Sequence, residues 1–123
     1  PHGFMGRISD APEFARRNRV LLLQHQPTGI NVDLSCGALP FEEEMIARAR
    51  ELVIGSIRIK VATPEDLIIT KAVAHRPRDI ADIEAILNIE LNLDFDRIRF
   101  CVSQFDEALE MPELMEDLEK LLR

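Results

Sequence analysis

Tryptophan and tyrosine are absent, and six phenylalanines are the only aromatic residues besides three histidines in 123 positions. Stacking on unpaired bases needs aromatic faces, so the chain is a poor single-stranded nucleic-acid platform. No apolar run approaches the roughly 18–20 residues that a membrane-spanning helix needs. Charges interrupt every apolar group between Pro1 and Arg19, which is not the pattern of a secretory signal. Cysteine is scarce: Cys36 and Cys101 stand far apart, without metal-ligand spacing. Two such thiols fit a reducing cytoplasm better than a disulfide scaffold, with a single bridge left open. A glycine-rich phosphate loop, a nucleophile elbow and a zinc motif are all missing.

Positive charge is short in the second half. Residues 1–60 hold eight Lys and Arg against seven Asp and Glu, whereas residues 61–123 hold seven against fifteen, within a net charge of −7. Nonspecific nucleic-acid binding depends on neutralising phosphates, so the second half is unsuited to it. Arg16, Arg17 and Arg19 form a small basic group that reads as a solvated helix end before it reads as a binding patch. The length suits a single domain over 1–123, with a sheet-rich part at 1–61 and a helical part at 62–123. A first residue other than Met suggests that an upstream portion is missing.

What is present reads as alternating short elements. Residues 1–8 are expected to fray. Ser9 or Asp10 caps a short helix over 11–17, with Pro12 near its first position. Val20–Leu23 is an apolar run of strand length, Pro27-Thr28-Gly29 is a turn, and residues 30–35 alternate at period two. Ile30, Val32 and Leu34 then share one face, and Asn31, Asp33 and Ser35 the other. A helix over 41–50 opens on glutamates and closes on arginines, as the helix dipole favours. Residues 52–54 and 57–61 flank Gly55-Ser56 as a second hairpin.

Residues 61–87, VATPEDLIITKAVAHRPRDIADIEAIL, organise the rest. Thr63 is a good N-cap, and Pro64 suits the first helical position because its missing N–H would be unpaired there. Leu67, Ile68, Ala72 and Val73 supply an apolar face. Pro77 disfavours helical geometry at Arg76, so the first helix ends near His75 and a second opens on Arg78-Asp79. Ile80, Ile83 and Leu87 form its buried stripe. Two further helices follow, over 94–105 and 112–122. The order α-β-β-α-β-β-α-α-α-α predicts an α+β fold. It has a small mixed sheet of about four strands in two hairpins, helices on one side and a C-terminal helical region.

Few side chains offer chemistry. Asp33 projects from a strand before a glycine-bearing loop; such a carboxylate can hold Mg²⁺, but a lone strand aspartate is usually just solvated. Lys71 borders an apolar helix face with its stem packed and its ammonium free. It suits a phosphate, or an ion pair with Asp79 or Asp82 across the helix break. His25 and His75 end a strand and a helix, without ligand partners at metal spacing. Gly55-Ser56 lacks a following Asp-x-Asp strand. Asp94-Phe95-Asp96 stands at a helix start, where capping explains it.

The runs EFARRNRVLLLQHQPTGINVDLS, FEEEMIARAR and IKVATPEDLIITKAVAHRPRDIADIEAIL resemble the C-terminal two-thirds of nucleotidyltransferase-fold proteins. The closest likeness is to bacterial proteins related to the type IV abortive-infection toxins (AbiEii-like) and to the minimal nucleotidyltransferases, over residues 13–87. The resemblance implies transfer of a nucleoside monophosphate from a nucleoside triphosphate, with three carboxylates holding Mg²⁺. It makes Asp33 the third carboxylate, and so both a metal ligand and a catalytic residue. It makes Lys71 catalytic and phosphate-binding, and gives Arg78, Asp79 and Asp82 a substrate-side or supporting role. Nucleic acid enters only as a possible acceptor. The usual Gly-Ser turn and Asp-x-Asp strand are missing, which implies a truncated fold, inactive as this chain alone and without bound Mg²⁺. The alternative is a non-catalytic interaction module, or a toxin–antitoxin-related homologue that binds a protein partner. A sheet stripped of its first strands exposes an edge, and a homodimer is expected on the strand side, away from the acidic residues 106–123.

Overall fold

Local sequence signals account for most of the elements in the computed structural model, which describes residues 2–123. β1 (Phe4–Gly6) and α1 (Ala11–Asn18) precede β2 (Val20–His25) and β3 (Ile30–Ser35). α2 (Pro40–Arg48) leads to β4 (Arg50–Ile54) and β5 (Ile57–Val61). Four helices close the chain: α3 (Pro64–Ala74), α4 (Pro77–Ile89), α5 (Phe95–Leu109) and α6 (Glu113–Leu122). The architecture is α+β, with the helices concentrated after Val61. Among the described residues no helix is long and apolar enough to cross a membrane.

The chain divides into two compact units, one up to Glu43 and one from Glu44. The first holds a three-stranded antiparallel sheet in the order β1-β2-β3. Its register pairs Leu22 with Asp33 and Leu23 with Val32, so Asp33 shares a face with Asn31 and Ser35 as the alternation predicts. Gly6 lies where the strand meets α1. A Cβ there would stand 2.7 Å from the Ala11 Cβ, inside any real contact, so only glycine lets the two backbones approach this closely. Arg19 closes α1 in the left-handed region and ties its guanidinium to the carbonyls of Cys36 and Gly37. Glu42 serves the opening of α2: its carboxylate accepts the N–H groups of Ala38 and Leu39.

The second unit contains β4 and β5, paired only with each other among the described residues, and all four C-terminal helices. Thr63 caps α3 through its hydroxyl, which accepts the Asp66 N–H at 3.2 Å. Asp94 caps α5 by accepting the Arg97 N–H at 2.9 Å. The core is Ile68, Ile69 and Ala72 of α3, Ile83 of α4, Ile98, Cys101 and Val102 of α5, and Leu114 and Leu118 of α6. Each of these helices turns one stripe inward, and burial of that stripe rather than helix propensity holds it.

Three expectations are corrected. The first hairpin and residues 57–61 do not share a sheet; they form separate antiparallel sheets of three and two strands, because each turn pairs its own flanks and α2 separates them. Residues 4–6 form a third strand on the first hairpin rather than a frayed entry; three residues are too few to show an alternation. On α3 the inward face is centred on Ile68, Ile69 and Ala72, and Leu67 is exposed.

Candidate phosphate-facing site at the α3–α4 junction

The junction between α3 and α4 is built by its backbone. His75 ends α3 in the left-handed region, its N–H bonded to the Lys71 carbonyl. Arg76 is extended, as a residue before proline must be, and Pro77 opens α4. Asp79, three residues on, accepts the Arg76 N–H at 3.2 Å with the same carboxylate that receives the Arg76 guanidinium at 2.5 and 3.1 Å. Asp79 is thereby buried yet fully engaged.

Lys71 approaches this carboxylate from α3. Its Nζ lies 2.6 Å from Asp82 Oδ2 and 3.8 Å from Asp79 Oδ1. The two partners differ in kind, since Asp79 is sealed while the Asp82 side chain is about half exposed. Lys71 therefore has one fixed counter-ion and one that solvent or a ligand can displace. Arg78 is exposed and makes no ion pair among the described residues. Of the residues singled out from the sequence, Lys71, Asp79 and Asp82 come together, with Arg78 adjoining. The residue that sequence reasoning missed is Arg76, whose signals were its place before Pro77 and its i,i+3 spacing to Asp79.

Asp33 belongs to the first unit, and Lys71 to the second. The Asp33 carboxylate is ion-paired with the Arg7 guanidinium and is otherwise exposed. Mg²⁺ requires near-octahedral oxygen ligation. Among the described residues no three His, Cys, Asp or Glu side chains converge as a metal-binding group. One carboxylate already answering an arginine is not a Mg²⁺ site, so the side chains present do not fit the ion by themselves.

Several carboxyls are held below their ordinary range by their partners. Asp79 is lowered by the Arg76 hydrogen bonds, Asp117 by Lys120 and then His75, Glu119 by Arg99, and Glu42 by the Ala38 and Leu39 N–H groups. A lowered folded-state pKa contributes stability that is complete above the unfolded value and disappears as pH drops through the folded one. Stability is therefore expected to be level above about pH 5 and to decline below about pH 4, near the unfolded carboxyl values. Urea midpoints between pH 3 and 7 check this; a midpoint that rises on acidification would contradict it.

These features define an α+β protein with a lysine–aspartate cluster at a helix junction and one strand aspartate. The sequence profile described as "Nucleotidyl transferase of unknown function (DUF2204)" matches residues 23–120, and the chain belongs to that family. The match runs well past the 13–87 span of the resemblance and takes in α5 and most of α6. No curated protein matches the sequence significantly.

Proposed function

We propose that the chain acts in nucleotidyl transfer as a component that binds the phosphates of a nucleoside triphosphate, with Lys71 as the phosphate-facing cation. The observation that carries this reading is the Lys71 ammonium held between a buried and a displaceable carboxylate, in a chain of the nucleotidyl transferase family. A phosphate displacing Asp82 would leave Lys71 aligned by Asp79, which Arg76 keeps in place. Arg78 is available to a second phosphate or to the acceptor. By the resemblance Asp33 would be one carboxylate of a Mg²⁺ set; among the described residues no companion carboxylates join it, so the chain alone is expected to lack transferase activity. The phrases VATPEDLIITK and RPRDIADI support the nearer relation to the abortive-infection toxin type. Two unpatterned thiols, Cys36 exposed and Cys101 buried, fit a cytoplasmic protein.

Calorimetric titration with ATP and GTP, with and without Mg²⁺, tests this. The wild type is expected to bind weakly and without marked Mg²⁺ dependence. Lys71→Ala is expected to remove the binding, and Asp82→Asn to tighten it several-fold by freeing the ammonium. Equal binding by wild type and Lys71→Ala would sink the role of Lys71. Tight Mg²⁺-dependent binding lost in Asp33→Ala would show that the metal set is complete here.

One observation favours a second reading, an interaction module. The register of β4 with β5 places Leu52, Ile54, Ile57, Ile59 and Val61 on one face, with Arg50 at its end beside Val61, and every one of them is exposed. The other face carries Glu51, Val53, Arg58 and Lys60. A lone two-stranded ribbon is marginal in water and gains from a partner. A second copy is the proposed occupant, joined through the β4 edge. A two-fold axis at Leu52 sets Glu51 opposite Val53 without a charge clash, whereas the same operation on β5 sets Arg58 against Lys60. Sedimentation at micromolar concentration is expected to show a dimer that Leu52→Lys dissociates. A monomeric wild type would reject this.

A further inference from the structure

β5 is an edge strand with a free outer side. Its sheet consists of β4 and β5 alone among the described residues, and every residue of both strands is exposed.

The turn at Gly55-Ser56 fixes which backbone groups face outward. Ile54 and Ile57 flank this two-residue turn, and Gly55 takes a φ of +61° at its first central position. The pair flanking such a turn exchanges both backbone hydrogen bonds, and bonded and non-bonded pairs then alternate along the ribbon. Ile57, Ile59 and Val61 therefore bond inward to β4. The N–H and C=O groups of Arg58 and Lys60 point away from it. The side chains of Arg58 and Lys60 share one face, and those of Ile57, Ile59 and Val61 the other.

Charge selects the occupant of this edge. A second copy paired antiparallel here would set Arg58 against Lys60, which is unfavourable. Basic residues on an edge strand commonly guard against such self-pairing. The same charges favour a strand of opposite sign, so the guard is selective. Glu51 accepts from the Arg58 guanidinium at 3.1 Å, but both side chains are exposed, and an incoming carboxylate can compete for so weak a pair. Lys60 has no ion-pair partner among the described residues. Residues 61–123 hold seven basic groups against fifteen acidic ones and repel an acidic chain, whereas the ribbon carries Arg50, Arg58 and Lys60 against Glu51 alone. The backbone discriminates further. A phosphate supplies acceptors for the outward N–H groups but no donors for the C=O groups, and another peptide backbone supplies both.

We propose that the β5 edge binds an extended segment of a partner protein in which acidic residues alternate with apolar ones. The segment adds as an antiparallel strand, with acids opposite Arg58 and Lys60 and an apolar side chain opposite Ile59. Its backbone hydrogen bonds supply affinity, and its alternation supplies specificity. The proposal deepens the interaction-module reading and rests on the free ribbon of that reading, but not on the dimer, because pairing through β4 leaves β5 on the outside.

A blocked heptapeptide of alternating valine and glutamate is the probe, and backbone amide shifts and hydrogen exchange of the full chain are the readout. The peptide is expected to shift the amides of residues 57–61 saturably and to slow exchange at Arg58 and Lys60 about tenfold. The same peptide with lysine for glutamate, or with both glutamate nitrogens methylated, is expected to bind at least tenfold more weakly. The double variant Arg58→Glu, Lys60→Glu is expected to reverse the preference and take the lysine peptide, with its thermal midpoint checking the fold. Should it unfold, Lys60→Glu alone is expected to weaken the glutamate peptide several-fold. Lys71→Ala is expected to bind the peptide as the wild type does, and a chain that sediments as a monomer yet binds it would reject the dimer while supporting the strand addition. Absence of any shift would overturn the proposal, as would equal responses to the glutamate and lysine peptides. Undiminished binding of the methylated peptide would show attraction without strand pairing and overturn it too. Equal or stronger shifts with oligothymidylate of matched charge would assign the edge to nucleic acid instead.

Discussion

Arg97→Ala is expected to destabilise the second unit by about 3–5 kcal/mol, the range for breaking a buried ion pair from one side. Asp66 is fully buried in the first turn of α3. Arg97, from α5, places Nε and Nη2 each 2.9 Å from Asp66 Oδ1. Its Nη1 reaches Glu44 at 3.3 Å, and Arg48 lies 3.4 Å from the other Asp66 oxygen. Burial is the largest single influence on Arg97 and works against its charge, but the hydrogen bond and charge of Asp66, with Glu44, together outweigh it and hold the guanidinium above its ordinary pKa. Alanine at 97 leaves the Asp66 carboxylate with Arg48 at a distance too long for a strong bond and with no water to replace the lost donors. A protein of ordinary stability has only about 5–15 kcal/mol to lose, so the variant is expected to be near unfolding at 37 °C. Arg97→Lys is expected to recover a minor part, because an ammonium cannot reproduce the planar fork. Urea denaturation of the three proteins measures this. A loss under about 1 kcal/mol would mean that the pair is solvated, as exposed pairs are.

The second large effect is expected in the apolar seam of the same unit. Ile83 is fully buried and, with Ala72 of α3, Ile80 of its own helix, and Leu114, Leu118 and Leu121 of α6, lines a narrow gap that admits no water. Ile83→Ala removes most of a branched side chain from this seam. The expected cost is about 2–5 kcal/mol, the sum of lost transfer energy and of the void that rigid neighbours cannot close. Ile83→Val, which deletes one methyl, is expected to cost about 0.5–1.5 kcal/mol. The ordering of the two midpoints is the check. Near-equal effects would indicate that α6 shifts inward to fill the space. His75 adds a polar tie between the same helices, its Nε2 lying 2.9 Å from Asp117 Oδ2. That tie leaves the expected ranking unchanged.

Much of the candidate site was legible because it is local. Pro77 breaks the helix at Arg76 by steric exclusion, and that alone brings Lys71 of one helix toward Asp79 and Asp82 of the next. The ion pair and the phosphate-binding role were both open from the sequence. The structure draws the pair, and the displaceable Asp82 keeps the other role available. Arg76 escaped notice because it precedes the helix: its i,i+3 spacing to Asp79 was available, but an arginine is not an expected N-cap. Asp33 was correctly placed on its strand face. Its pairing with Arg7 was not foreseen, since it depends on a strand too short to be recognised.

The caps of α3 and α5, the hairpin turns and the inward side of α4 could be derived from the residues alone. Thr63 and Asp94 cap because a short oxygen-bearing side chain meets unpaired N–H groups within three residues. Gly55 turns because it tolerates a positive φ, here +61°. Ile83 faces inward because a period of 3.6 leaves it no other side. Such effects act over a few residues, and the amino acids involved state them directly. The tertiary structure decided everything that joins distant positions. It buried Asp66 against Arg97, 31 residues away, and left Glu65 Oε2 without a donor among the described residues. It kept the two hairpins in separate sheets and left the apolar face of β4 and β5 exposed. In each case the outcome depends on which surfaces pack and how completely they exclude water, a property of the assembled chain that no local pattern encodes.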